Sequence, residues 1–349
     1  MKYIRLSFFL LSLIVLLIAG FYFWIQTSMN NQIEHEKSAT YITIEQGSSA
    51  NQILNVLEKN KIIEGTLAPK LYLRFLEKKV QLEAGDYLFP SPISPKEALN
   101  ELKNGKRRSK MLTIPEGWTR FEIAKRLVAQ LPTVPALTER EVLKLMDNTE
   151  LIQEFDPQAA NLEGYLYPTT YDLEIGTHPK TAINRMVQEF KRNWESDWDN
   201  KAKKMGKTKR EIVTIASLIE NESKVDKERS LISSVIYNRI DQRIPLGIDA
   251  TNVYIAKLLN RWDGIIHKSD VEIEHPYNTR KIQGLPPGPI CSPSKSAFQA
   301  ALKPENTKYL YYVLNVKAGD GSHNFYSTAA GFSRGKAEYQ KWLAKQRGN

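Results

Sequence analysis

Between Leu6 and Ile25 the chain runs for twenty residues without a charge, LSFFLLSLIVLLIAGFYFWI. An apolar stretch of that length is what an α-helix needs to cross the hydrocarbon core of a bilayer. A cleaved signal peptide has a shorter apolar region, about 7–15 residues, closed by small residues at a cleavage site. Here the run closes instead on Phe21, Tyr22, Phe23 and Trp24, an aromatic belt suited to headgroup level. The expectation is an uncleaved transmembrane anchor at 6–25. Lys2 and Arg5 mark residues 1–5 as cytoplasmic, which places the bulk of the chain outside the cytoplasm, in the periplasm of a cell with an inner membrane.

That address narrows what the charge can mean. The chain carries 49 Lys and Arg against 39 Asp and Glu, a net charge of +10. Such an excess either confers solubility or suits an anionic partner. Outside the cytoplasm nucleic acid is not an expected partner, so an envelope polymer or lipid surface is favoured. Cys291 is the sole cysteine. It excludes an internal disulfide and CxxC metal or redox chemistry, and reads as a small core residue.

After a polar, aperiodic stretch at 26–40, expected as a tether, one element is written twice. YITIEQGSSANQILNVLEKN begins at Tyr41 and MLTIPEGWTRFEIAKRLVAQ at Met111. Ile42, Ile44, Gly47, Ile53 and Leu57 of the first copy align with Leu112, Ile114, Gly117, Ile123 and Leu127 of the second. Each copy predicts a short strand, a glycine turn and an amphipathic helix. The first copy continues into LAPKLYLRFLEKK and then LEAGDYLF, giving strand–helix–helix–strand over 41–110, a pattern that resembles the glycan-binding LysM module. Residues 111–209 read as a connecting α+β region and 210–349 as the domain that carries the chemistry. The expected fold class is α+β throughout the extramembrane part.

The chemistry is expected where the apolar helix VTIASLI meets Glu220 and Glu222. At 100° per residue, Glu222 returns to within about 20° of the face of Ile215, whereas Glu220 points about 140° away. A carboxylate at the end of an apolar stripe loses hydration and its pKa rises, which suits a general acid near neutral pH. The competing interpretation is a helix end where Glu222 meets solvent or pairs with Lys224 or Arg229. Other schemes lack their motifs. The five histidines contain no HxxxH pair, and the chain has no GxSxG elbow, Walker loop or GxGxxG after a strand. No metal and no cofactor are expected.

A set of segments then carries a resemblance: EGYLYPTTY, ASLIENES with ERSLISSVIYNRI, PLGIDATNVYIA, HPYNTRKIQGLPPGPICSPSKSAFQAALKP, YLYYVLNV and GSHNF. In order and spacing the chain resembles the YceG-like endolytic murein transglycosylases. The resemblance implies a bitopic inner-membrane enzyme that cleaves the MurNAc–GlcNAc bond of nascent peptidoglycan glycan strands, leaves 1,6-anhydro-MurNAc ends and ends strand elongation beside peptidoglycan synthases. It places the catalytic acid at Glu222, in agreement with the helical-face argument. Supporting or substrate-binding positions would be Glu220, Ser223, Asn238, Arg239, Asp249, Thr251, Tyr254, Tyr277, Asn278, Thr279, Gly284, Leu285, Pro286 and Pro287. Asn238 and Arg239 read as polar groups holding Glu222 in place, and His323 as a hydrogen-bonded scaffold residue. Thr169, Gly247 and Ser292-Pro293-Ser294 depart from the family's usual residues. Asp249 is the nearest second carboxylate for a lysozyme-type hydrolase, although an Asp beside Thr251 more often bonds its local backbone. A non-catalytic glycan-binding scaffold is the further alternative.

Overall fold

The apolar run forms the greater part of helix α1, Lys2–Asn30. Within it, Phe9–Asn30 is long and apolar enough to cross a membrane. The computed structural model describes residues 2–45, 47–77, 82–104 and 109–347, and the chain divides into two units, 1–110 and 111–349.

Unit 1 follows α1 with β1 (Ile42–Ile44), α2 (Ala50–Lys59), α3 (Leu67–Phe75), β2 (Gly85–Tyr87) and α4 (Pro95–Asn104). β1 and β2 pair antiparallel with Ile42 opposite Tyr87 and Ile44 opposite Gly85. The stretch expected as a tether is partly built into this unit. Ile25 and Met29 on α1 are buried in its core, and Ile33 bridges Ile93 through two backbone hydrogen bonds of 2.9 and 3.0 Å. The imidazole of His35 lies 2.9 Å from the Pro90 carbonyl. The cause is legible afterwards: Ile25, Met29 and Ile33 recur at i, i+4, i+8 among polar neighbours, a sparse stripe that composition conceals.

β3 (Ser109–Thr113) leads across the boundary into unit 2, which holds α5 (Arg120–Gln130), α6 (Glu139–Met146), β4 (Thr170–Glu174), α7 (Pro179–Asn193), α8 (Trp198–Lys204) and α9 (Lys209–Glu222). It continues with α10 (Arg229–Asp241), α11 (Asp249–Leu258), α12 (Lys268–Glu272), α13 (Lys295–Leu302), β5 (Tyr311–Leu314), β6 (His323–Tyr326) and α14 (Ala329–Arg347). β3 pairs with β4, and β5 pairs antiparallel with β6. One hydrophobic core runs from Leu112 to Leu302. It therefore joins the stretch expected as a connecting region to the one expected as catalytic. The mixed α+β class holds in both units.

The repeated element is a structural repeat. Both copies turn at a glycine of positive φ, +83° at Gly47 and +75° at Gly117, where a side chain would be strained. Both then open a helix with a capping box, Ser49 with Gln52 and Thr119 with Glu122. Ile42, Ile44, Ile53 and Leu57 are buried, as are Leu112, Ile114, Ile123 and Leu127. The copies differ in partner, since β1 closes on β2 whereas β3 closes on the distant β4.

At the centre of unit 2 lies α9. Its start is fixed by Thr208, whose hydroxyl accepts from the Glu211 amide while the Glu211 carboxylate accepts from the Thr208 amide. Every residue from Ile212 to Ile219 is buried. The helix packs against α13, α10, α11 and α8. No solvent face exists along that stretch, so its two terminal glutamates are not separated into a buried one and an exposed one.

Candidate active site

α9 ends at Glu222, and Ser223 caps it in an extended conformation, its hydroxyl donating to the Val225 carbonyl at 2.8 Å. The chain leaves the helix there, and the Glu222 carboxyl enters a cavity of about 320 Å³. Gly117, Thr119, Asn221, Asp249, Tyr254 and Lys257 share its walls. From β5, the Tyr312 hydroxyl donates to Glu222 Oε2 at 2.7 Å. Burial pushes the Glu222 carboxyl above the ordinary range. The Tyr312 hydrogen bond opposes that rise, the Asp249 charge adds to it, and His323 and Arg280 oppose it.

Glu220 has a different occupation. Its carboxylate accepts two hydrogen bonds of 3.0 Å from Arg229, one to each oxygen, and a third of 2.8 Å from the Ser294 amide. The Ser294 hydroxyl also donates to it. The Glu220 and Arg229 side chains are 6% and 9% exposed. The carboxylate that the helical-face argument turned outward is thus a buried ion pair tying α9 to the starts of α10 and α13. Arg229, considered as a partner for Glu222, is committed to Glu220 and Asp226.

The remaining expected positions fall into two groups. Asp249 and Tyr254 line the cavity with Glu222. Asp249 is held by a side chain rather than by its local backbone: Arg280 Nε donates to its Oδ1 at 3.1 Å, and Nη2 donates to the same oxygen. Tyr254 is 2% exposed, with its ring 5.0 Å from Tyr277. Behind it the Glu163 carboxyl bonds the Tyr254 hydroxyl and accepts the Arg120 amide at the start of α5. Burial drives Glu163 up to about 7, against the Arg120 and Tyr254 hydrogen bonds that stabilise its ionised form.

The other group is scaffold. Asn278 donates to the carbonyls of Val271 and Ile273, and Thr279 accepts the Ile248 amide and bonds the Thr251 hydroxyl at 3.0 Å. All three of Asn278, Thr279 and Thr251 are fully buried. Gly284 turns at φ +79°, Leu285 packs on the core, and Pro286 is buried. The Pro287 carbonyl accepts from Arg210 Nε and Nη2 at 2.8 and 2.6 Å, while Arg210 pairs with buried Asp156. Tyr277 and Gly284–Pro287 do not line the cavity. Asn238 donates to the carbonyls of Thr307 and Tyr309, and Arg239 to those of Leu310, Pro245 and Leu246. They hold the segment that enters β5, and so position Tyr312. His323 sits against Glu228, which accepts its backbone amide at 2.8 Å and lies 3.1 Å from its ring nitrogen.

The departing positions are local fittings. The Thr169 carbonyl accepts the Ile114 amide, and the Gly247 amide donates to Thr279. Ser292 exchanges backbone hydrogen bonds with Gly117 and Trp118, joining the cavity's Gly117 turn to the loop before α13. Gly164, in the segment EGYLYP, approaches the segment GLPPGP so closely that an added Cβ would sit 2.6 Å from Pro289 Cβ and 3.0 Å from Val213 Cγ1. Cys291 is buried, its thiol 3.3 Å from the Ser217 carbonyl.

Tyr312, Thr119, Asn221, Lys257 and Arg280 belong to the site and were not singled out from the sequence. Tyr312 stood among three closely spaced tyrosines, Tyr309, Tyr311 and Tyr312, with no local signal to choose it. Lys257 was legible only as one of many lysines, yet it pairs with Glu122, the capping-box residue of α5.

The model of the YceG-like family matches residues 42–338. The chain belongs to the YceG-like family. It is 31% identical to a protein of Bacillus subtilis named endolytic murein transglycosylase, over 93% of this chain and 91% of that one. A protein of the same name from Streptococcus pneumoniae is also 31% identical, over 88% of this chain, which spans only 60% of that longer protein. A crystal structure of a YceG-like protein from Listeria monocytogenes is 30% identical, with a TM-score of 0.57 over 84% of this chain and 97% of that one.

Proposed function

We propose that this YceG-like chain is an endolytic lytic transglycosylase of peptidoglycan with Glu222 as its acid–base residue. The observation that carries the proposal is a carboxyl raised by burial at the wall of a cavity, with Tyr312 donating to one of its oxygens. That hydrogen bond occupies Oε2 and leaves Oε1 to carry a proton towards a bound glycan. Glu222 donates this proton to the oxygen between MurNAc and GlcNAc as the bond breaks. As carboxylate it then takes the proton of the MurNAc 6-hydroxyl, which attacks the anomeric carbon and closes the 1,6-anhydro ring. The substrate supplies the nucleophile, so one carboxyl serves both steps. Asp249, fixed by Arg280, keeps a negative charge near the developing oxocarbenium ion. The names of the relatives and the family membership support the same substrate class.

In the fuller proposal α1 anchors the chain in the inner membrane with residues 1–5 in the cytoplasm and both units outside. The β1–α2–α3–β2 unit is LysM-like in its order of elements, and cleavage beside peptidoglycan synthases ends strand elongation. The test is incubation of the full chain with uncrosslinked glycan strands in isotope-labelled water. Anhydro ends without label support the proposal. A second reading, a lysozyme-type hydrolase, is favoured by the presence of Asp249 in the same cavity as Glu222. It requires labelled reducing ends.

A further inference from the structure

Helix α3 lies beside the outer end of the apolar span. Its first residue, Leu67, shares a small pocket with Trp24 and Ser28 of α1. α3 packs against α1, and Trp24 belongs to the aromatic belt at which a span meets the headgroups. Ala68, Pro69 and Tyr72 face inward and are buried.

Opposite them one helical stripe holds Leu67, Lys70, Leu71, Arg74 and Phe75, at i, i+3, i+4, i+7 and i+8; Leu67, Arg74 and Phe75 are exposed, Lys70 is half-buried, and Leu71 packs in part against the core. Leu67, Phe75 and the following Leu76 are 62%, 54% and 41% exposed. The Arg74 guanidinium lies 5.7 Å from the Phe75 ring centroid. A row of large apolar side chains interleaved with cations is the composition of a helix that lies in a membrane interface. Leu67, Lys70, Leu71 and Arg74 also form one wall of a groove of about 570 Å³ against α2. The groove's walls are mainly aliphatic, and besides its two cations the polar side chains are Asn51 and Glu77. Glu77 is engaged by Lys103. That is a poor match to a sugar ring, which needs several hydrogen-bonding partners.

We infer that the outward face of α3 seats in the headgroup layer of an anionic membrane, with Leu67, Phe75 and Leu76 at the acyl boundary and Lys70 and Arg74 on lipid phosphates. The inference rests on α1 spanning the membrane, and the test separates the two. The full chain is labelled with a fluorophore at Phe75→Cys, at Ile14→Cys within the span, or at fully exposed Val134→Cys. Buried Cys291 leaves the introduced thiol as the reactive one. Each is reconstituted in phosphatidylcholine–phosphatidylglycerol vesicles, roughly three to one, and quenched with iodide or with a lipid-borne quencher. The position-75 label should follow position 14, shielded from iodide and quenched from the lipid. Lys70→Glu with Arg74→Glu should weaken that shielding on the order of fivefold per charge reversed. A position-75 label as open to iodide as position 134 overturns the inference while α1 still spans. Shielding produced by added glycan strands in neutral lipid overturns it in favour of a glycan groove. An iodide-accessible label at position 14 removes the spanning assignment and the inference together.

Discussion

Tyr312 and Glu222 are ninety residues apart in sequence and joined by a 2.7 Å hydrogen bond from the phenol to the carboxyl. The bond favours the ionised carboxyl, against the burial that disfavours it. The rate should therefore fall as pH rises through the elevated Glu222 pKa, because the proton donor is lost. Tyr312→Phe should move that alkaline limb to higher pH and lower kcat on the order of tenfold, since the acid is no longer held in place. The pH profile of kcat/KM reads both effects. A limb that does not move, or moves to lower pH, would contradict the role given to Tyr312.

The two glutamates of α9 should fail differently. Glu222→Gln should leave folding intact and reduce cleavage by at least about a hundredfold. Glu220→Gln should leave Arg229 buried and underpaired, costing about 3 kcal/mol of stability. Any loss of activity in Glu220→Gln should then track the unfolded fraction. Urea midpoints and activity measured on the same preparations distinguish the two. A fully stable but inactive Glu220→Gln would mean that the pair takes part in the chemistry.

Glu163 predicts a pH-dependent stability. Its folded-state pKa is about 7 against an ordinary 4.5. The stabilisation is therefore fully present below about 4.5 and lost as pH rises to about 7, a change of roughly 3 kcal/mol. Glu222 acts in the same direction. Glu163→Gln, neutral at every pH, should shrink the difference between denaturation midpoints near pH 5 and near pH 8 without abolishing it. An unchanged difference would show that Glu163 is ionised in the folded protein.

Asp249→Asn separates the two chemistries. A transglycosylase should keep anhydro products and slow on the order of tenfold, through weaker charge stabilisation. A hydrolase that uses Asp249 should lose its product altogether. Mass spectra of the products in labelled water decide between them.

Much of the fold was legible where side-chain spacing is strong. The repeat could be read from Ile42 to Leu57 and from Leu112 to Leu127, because the same burial and the same glycine turn are required twice. A carboxyl raised by burial at the end of α9 was legible as well, although for a reason that needed amending. The helix is buried all round, so the 140° between Glu220 and Ile215 selects an ion pair and not a solvent face. Sequence could not show Tyr312 or Lys257, because Tyr312 meets Glu222 and Lys257 reaches the cavity through tertiary contacts with no local pattern. It left open whether Thr279 and Asn278 bind substrate or support the fold, and their polar side chains serve backbone groups of neighbouring loops.

The Gly164–Pro289 approach leaves two distant segments dividing one small volume. Neither can grow alone. A methyl at Gly164 would have to displace Pro289, and with it the loop whose Pro287 carbonyl is fastened by Arg210. The two segments are in that sense a lock with a single shared tooth. A lineage could enlarge one side of it only after the other had been cut back.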